Sequence, residues 1–267
     1  MSLSALREWN ARTQRAPFPV CFDKLVRAGG LLAAGGALYV PLLVAFAASP
    51  KTTDVGYAPE QPIPYSHELH VGQLGLDCRY CHTSVEVGPK ANIPPTQTCM
   101  NCHSKILTES DQLEPLRSSF RTGLSVEWIR VHDLPDYAFF NHSAHVTRGI
   151  GCVSCHGRVD QMTVVTQVEP LSMAWCVDCH RHPDENLRPP EYATDMEWRP
   201  TVRDGKRLDR EVPEDLRVGE WEPLDPNWNA SGNADRNTQP VDPQVYGALF
   251  KIARDVAPPT DCSTCHR

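Results

Sequence analysis

The chain has 267 residues, of which 24 are proline and 16 glycine, with 7% aromatic and 22% charged side chains. That composition excludes a large aliphatic core, and the length allows one or two domains. The formal net charge is −7, and Lys and Arg are scattered rather than clustered, which argues against nucleic-acid binding.

The first predicted element is a basic stub over residues 1–27. Residues 1–28 carry Arg7, Arg12, Arg15, Lys24 and Arg27 against Glu8 and Asp23, a net of +3, and the rest of the chain carries −10. Residues 28–49 then run for 22 positions without a charge. As a helix they would span about 33 Å, enough for a bilayer core. The basic flank puts the N-terminus in the cytoplasm and exports everything after residue 50. A cleaved signal peptide is the rival, with Ala45-Phe46-Ala47 resembling a processing site. The length of the leader and of the apolar run favours a retained single-pass anchor. Gly29, Ala33 and Ala37 recur at intervals of four, a spacing that admits a second membrane helix. Pro41 is expected to kink the outer half. Cys21, on the cytoplasmic side, reads as an ordinary free thiol.

Ten of the eleven cysteines fall into five copies of Cys-x-x-Cys-His. They are Cys78/Cys81/His82, Cys99/Cys102/His103, Cys152/Cys155/His156, Cys176/Cys179/His180 and Cys262/Cys265/His266. This spacing marks covalent c-type haem attachment. Two thiols bond the vinyl groups of one porphyrin, and the adjacent histidine becomes an axial ligand of the iron. Zinc is the competing reading, since two pairs of motifs also fit a four-cysteine pattern. A four-thiolate site has no use for a following histidine, however, and an odd number of motifs leaves one unpaired. Disulfides do not follow this spacing.

The motifs sit in a repeat. Tyr65-x-His67-x-x-His70-Val71 precedes the motifs at Cys78 and Cys99, and Phe140-x-His142-x-x-His145-Val146 precedes those at Cys152 and Cys176. This predicts two two-haem modules, 64–110 and 131–182, with a fifth motif at 262–266. Histidines three apart on a helical turn reach two different irons. His67, His70, His142 and His145 are then second axial ligands, and His132, just ahead of the second module, is the natural fifth. His182, two residues after the fourth motif, reads as a surface or propionate-contacting side chain. Met173 and Met196 are the thioethers that could replace an imidazole, although a packing role is the commoner fate of methionine. With ten ligands for five irons no site stays open, which predicts electron transfer without a substrate site or catalytic residue.

Residues 183–261 hold eleven of the 24 prolines together with Trp198, Trp221 and Trp228. They read as an irregular arm docked on a neighbouring surface, with one helix over 242–256 that starts at Pro243. The expected fold is therefore a multihaem cytochrome c: loop-rich, with short α-helices around five haems in a periplasmic domain at 50–267, plus one N-terminal transmembrane helix. Such a fold should not survive without its five covalent haem c groups. Its acidity would either steer basic partners such as small soluble cytochromes or serve solubility alone.

Three stretches carry a resemblance: residues 64–71, residues 131–146, and Met-Ala-Trp-Cys-Val-Asp-Cys-His-Arg at 173–181. Together with the stub, the single helix and the late fifth motif, they resemble the pentahaem cytochrome c subunit, ActA type, of bacterial alternative complex III. The resemblance implies a haem wire in the cytoplasmic membrane. It would pass single electrons from the quinol and iron–sulfur subunits of a respiratory or photosynthetic complex to a periplasmic monohaem cytochrome or terminal oxidase. A self-sufficient membrane quinol dehydrogenase that feeds a periplasmic reductase is the alternative.

Overall fold

The computed structural model describes residues 3–5, 20–47, 53–201, 204, 208, 210–214 and 240–266. Most of the basic stub, Ala48 and Ser49, and Trp221 and Trp228 of the Pro-rich stretch lie outside the described residues. The chain divides into two units, Met1–Thr52 and Thr53–Arg267.

The first unit contains helix α1, Val20–Ala47. It continues through Pro41, and Leu31, Leu32 and Leu38 on it are exposed. Cys21–Ala47 is long and apolar enough to cross a membrane, with a mean hydropathy of 2.0. Residues 28–47 of it are uncharged and rich in Leu, Ala and Val, and a helix meets nearly all its backbone hydrogen bonds internally, as a bilayer requires.

The second unit consists of short helices and turns. Among its described residues the only sheet-like pairings are two isolated antiparallel bridges, Ile150 with Leu187 and Thr201 with Pro240. After a π-helical turn at Glu68–Gln73 come α2 (Cys78–Cys81), α3 (Thr96–His103), α4 (Glu114–Thr122), α5 (His142–Val146), α6 (Val153–His156), α7 (Met173–Arg181), α8 (Pro243–Ala253) and α9 (Cys262–Cys265). Three-residue 3-10 turns stand at Val159–Gln161 and Asp184–Asn186.

The largest apolar cluster is formed by Leu187, Leu208, Val212, Val241, Tyr246, Leu249, Phe250 and Val256, with Ile150, Trp198 and Ala253 against it. Most of these residues belong to the Pro-rich stretch, so its described ends form the main side-chain core rather than only a docked arm. The reason lies in α8. Pro243 fits the first turn, where no N–H is needed, and the Asp242 carboxylate accepts from Gln244 N at 2.8 Å. Tyr246, Leu249 and Phe250 then share one face at helical spacing. That face meets the turn at Asp184–Asn186 so closely that a Cβ on Gly247 would collide with the Asp184 carbonyl.

Candidate haem-binding centres

Each Cys-x-x-Cys-His motif lies on one helical turn: α2, α3, α7 and α9 carry theirs, and α6 begins one residue after Cys152. Short caps hold the turns. The Asp77 carboxylate accepts from Arg79 N, the Ser172 hydroxyl from Trp175 N, and the Asp261 carboxylate from the Ser263 and Thr264 hydroxyls. In three motifs the histidine N–H closes the turn by donating to the first cysteine: His82 to Cys78 O at 2.8 Å, His156 to Cys152 O at 3.0 Å and His266 to Cys262 O at 3.0 Å. One helical turn sets its two thiols side by side, with the histidine ring a residue further on.

None of the ten motif cysteines is in a disulfide. Burial raises Cys81, Cys99, Cys176 and Cys179, and pushes Cys155 up to about 12. Cys78 is raised by a hydrogen bond with Cys152 and by burial. Cys152, by contrast, is lowered by that same hydrogen bond. Among the described residues, no three His, Cys, Asp or Glu side chains converge to hold a bare ion.

The histidine nitrogens carry the clearest signal. Nδ1 donates to a backbone carbonyl in seven rings: His82 to Asn92 at 2.7 Å, His103 to Ile106 at 3.2 Å, His180 to Pro259 at 2.6 Å, His266 to Tyr137 at 3.2 Å, His70 to Ser66 at 2.8 Å, His142 to Pro89 at 2.9 Å and His145 to Asn141 at 2.8 Å. A carbonyl can only accept, so each Nδ1 bears the proton and each Nε2 keeps its lone pair for a metal. His132 Nε2 and His67 Nδ1 are buried without a partner. Burial lowers His67 to about 4 and His156 to about 3, and neighbouring imidazoles add to both shifts. These rings are neutral at physiological pH, the form that ligates iron.

Ring spacing tests the fit. Two imidazoles bound to one metal through Nε2, at about 2 Å per bond, have ring centres about 6.3 Å apart. His70 and His103 stand 6.2 Å apart, His145 and His180 6.0 Å, and His142 and His156 6.4 Å with planes within 7°. The donors present therefore fit haem.

The internal repeat is also spatial. Tyr65 lies edge-on to His67 at 4.8 Å and stacks on His70 at 4.4 Å. Phe140 does the same to His142 at 4.8 Å and His145 at 4.5 Å. In both, the second histidine donates to the carbonyl four residues earlier and faces the histidine of its module's second motif. The local form differs, since the first pair enters a π-helical turn and the second sits on α5.

His132 was expected to complete the set of second ligands, and the structure lays its ring edge-on to His156 at 4.5 Å. That is too close for an iron between them. His182 is exposed and pairs with Asp178 at 3.2 Å. Met196 is buried, and Met173 is 69% exposed.

The motifs abut in a definite order. Asn101 within the second motif donates to the Tyr80 hydroxyl within the first at 3.1 Å. Residues 190–194 join the first motif to the third: Arg79 donates to Pro190 O, Thr194 to the Asp77 carboxylate, and Cys152 N to Ala193 O. The third motif follows α5, whose His145 faces His180 of the fourth at 6.0 Å, and His180 donates to Pro259 O, three residues before the fifth. The sequence in space is second, first, third, fourth, fifth, an order that motif spacing alone does not encode.

Sequence reasoning missed Arg188. It is 5% exposed, packs over the Trp198 ring at 5.2 Å and donates to Asp195 O at 2.9 Å, while its Nε has no partner. A Cβ on Gly151 would collide with its guanidinium, which places that charge beside Cys152.

No family model matches the chain. Over 98 residues, 36% of its length, the chain is 37% identical to the multihaem cytochrome c subunit of the menaquinone reductase of Nitratidesulfovibrio vulgaris. The chain is a homologue of a multihaem cytochrome c. It spans 46% of that relative, less than half the length of the curated protein it matches.

Proposed function

We propose that the chain is a membrane-anchored pentahaem cytochrome c, an electron wire in a quinol-linked membrane complex. The single observation that carries this reading is the set of imidazoles whose Nδ1 is committed to a backbone carbonyl, with facing rings at 6.0–6.4 Å. The bound group would supply reversible one-electron iron chemistry. Cys78, Cys81, Cys99, Cys102, Cys152, Cys155, Cys176, Cys179, Cys262 and Cys265 would hold five haems covalently. His82, His103, His156, His180 and His266 would be the near ligands, and His67, His70, His132, His142 and His145 belong to the far-side pool. The backbone carbonyls hold the rings in one tautomer. The polypeptide has no proton to move and no substrate to orient.

The homology supports the coarse role, and the three stretches that resemble the ActA subunit favour alternative complex III. In that reading α1 lies in the cytoplasmic membrane with the motifs on the periplasmic side. Electrons pass from the quinol and iron–sulfur subunits to a periplasmic cytochrome or terminal oxidase. A second reading, that the wire runs toward the quinone, is favoured by the relative's being a subunit of a menaquinone reductase.

Purification from membranes tests the proposal. The alkaline pyridine haemochrome should report five haems per chain, and the chain should travel with larger membrane subunits. Added quinol should reduce the haems in the intact complex but not in the isolated chain. Absence of the haemochrome overturns the wire, and quinol oxidation by the isolated chain overturns the subunit role. Reduction by a periplasmic donor coupled to quinone reduction would establish the reverse direction.

A further inference from the structure

We propose that the loop at residues 84–92 is a strap that positions one axial imidazole on each of two haems, His82 on the first and His142 on the third. Asn92 and Ser84 are its positioning residues. This rests on the pentahaem reading and deepens it, because it names what holds two neighbouring centres of the wire in register.

The loop leaves the first motif after His82 and ends before α3. It is folded on itself by short bonds: Val87 N and Gly88 N donate to Ser84 O at 3.1 and 2.8 Å, and the Ser84 hydroxyl donates to Lys90 O at 2.6 Å. Val85 is buried with Val146 and Ala193, and Ala91 packs against the same cluster. The turn is therefore tied to α5 on one side and to residues 190–194 on the other.

Two of its carbonyls, three residues apart, each take the proton of a ligand ring. Asn92 O accepts from His82 Nδ1 at 2.7 Å. Pro89 O accepts from both His142 N and His142 Nδ1, at 3.1 and 2.9 Å, and Gly88 O accepts from Ser143 N at 3.1 Å. The first N–H groups of a helix have no partner within it, so the strap caps α5 and fixes the His142 ring in one stroke. That ring faces His156 of the third motif at 6.4 Å. The hold does not follow from the internal repeat, since His67, the counterpart of His142, has its Nδ1 buried without a partner. Asn92 turns its carbonyl to His82 from a left-handed backbone, with φ at 58°. Asparagine and glycine adopt that conformation readily, and a β-branched residue does not.

A carbonyl that accepts from the outer nitrogen of a ligand ring makes the ring a stronger donor, which favours ferric iron. Loosening that bond should raise the potential of the haem concerned and rotate its ring. Because one folded turn carries both carbonyls, a disturbance at Asn92 should reach the first and third centres together and leave the other three alone.

The test is electron paramagnetic resonance and potentiometry of the full, haem-loaded protein. Asn92→Val should change two of the five low-spin signals and raise two midpoint potentials, and Ser84→Ala should move the same two to a smaller extent. Asn92→Gly, which keeps the left-handed backbone, should behave as the unsubstituted protein. His142→Met marks the third centre, whose signal should be one of the two that move. A change confined to the first centre, a change spread over all five, or an Asn92→Gly protein that behaves as Asn92→Val would overturn the strap. Each of those results leaves the pentahaem wire intact, whereas loss of the haemochrome in the unsubstituted protein would remove the wire.

Discussion

At the residue scale, Arg188 shows how a side chain outside every motif can set a property of the site. Its guanidinium is removed from water, held by Trp198 and the Asp195 carbonyl, and pressed toward Cys152 by the absence of a side chain at Gly151. A buried positive charge next to a redox centre stabilises its reduced state. Replacing Arg188 with Met should lower the midpoint potential of the haem on His156 by some tens of millivolts, the scale of a unit charge acting over about 10 Å at an effective dielectric of about 20. Redox titration of the loaded protein checks this, with Arg188→Lys expected to recover most of the shift. Nothing in the sequence marks Arg188 as special, because its position depends on the bridge between Ile150 and Leu187, thirty-seven positions apart. The motif cysteines and histidines, by contrast, were legible from spacing alone, because a single helical turn fixes the relation of their side chains.

At the scale of elements, the aromatic-x-His-x-x-His segments were legible as a duplication, and the ring geometry around Tyr65 and Phe140 repeats to within a few tenths of an ångström. The destination of the first histidine in each pair was not legible. It depends on how the loop at Pro89 and the segment around His132 approach the motifs, contacts that join residues far apart in the chain. Helix α8 was expected over 242–256 and runs Pro243–Ala253, stopped by Arg254 at a non-helical φ/ψ. Its start rests on the Asp242 side chain. Asp242→Ala should cost about 1 kcal/mol, read as a lowered denaturation midpoint with the haem spectrum unchanged. The apolar spacing of Tyr246, Leu249 and Phe250 was visible in the sequence, but the proline count around it suggested an arm rather than the principal cluster. Prolines here punctuate short apolar runs that meet one another, and composition does not report that meeting.

At the scale of the molecule, the side-chain clusters are small for the length of chain they organise. In the proposed reading the remaining apolar volume comes from the porphyrins, whose faces would be covered by half-buried motif residues. Chain produced in cells that cannot attach haem should therefore lack stable tertiary structure. Far-ultraviolet circular dichroism and limited proteolysis measure this, and a protease-resistant haem-free domain would contradict it. Helix α1 belongs to a separate compact unit, so its helicity in detergent should not depend on haem attachment.

The pairing of imidazole N–H groups with main-chain oxygens has a dynamic consequence. A carboxylate in that position could capture the proton when the iron changes charge, but an amide oxygen cannot. In the proposed wire each of these seven rings would keep its hydrogen through an oxidation cycle, and current would flow without any accompanying movement of acid equivalents at those ligands.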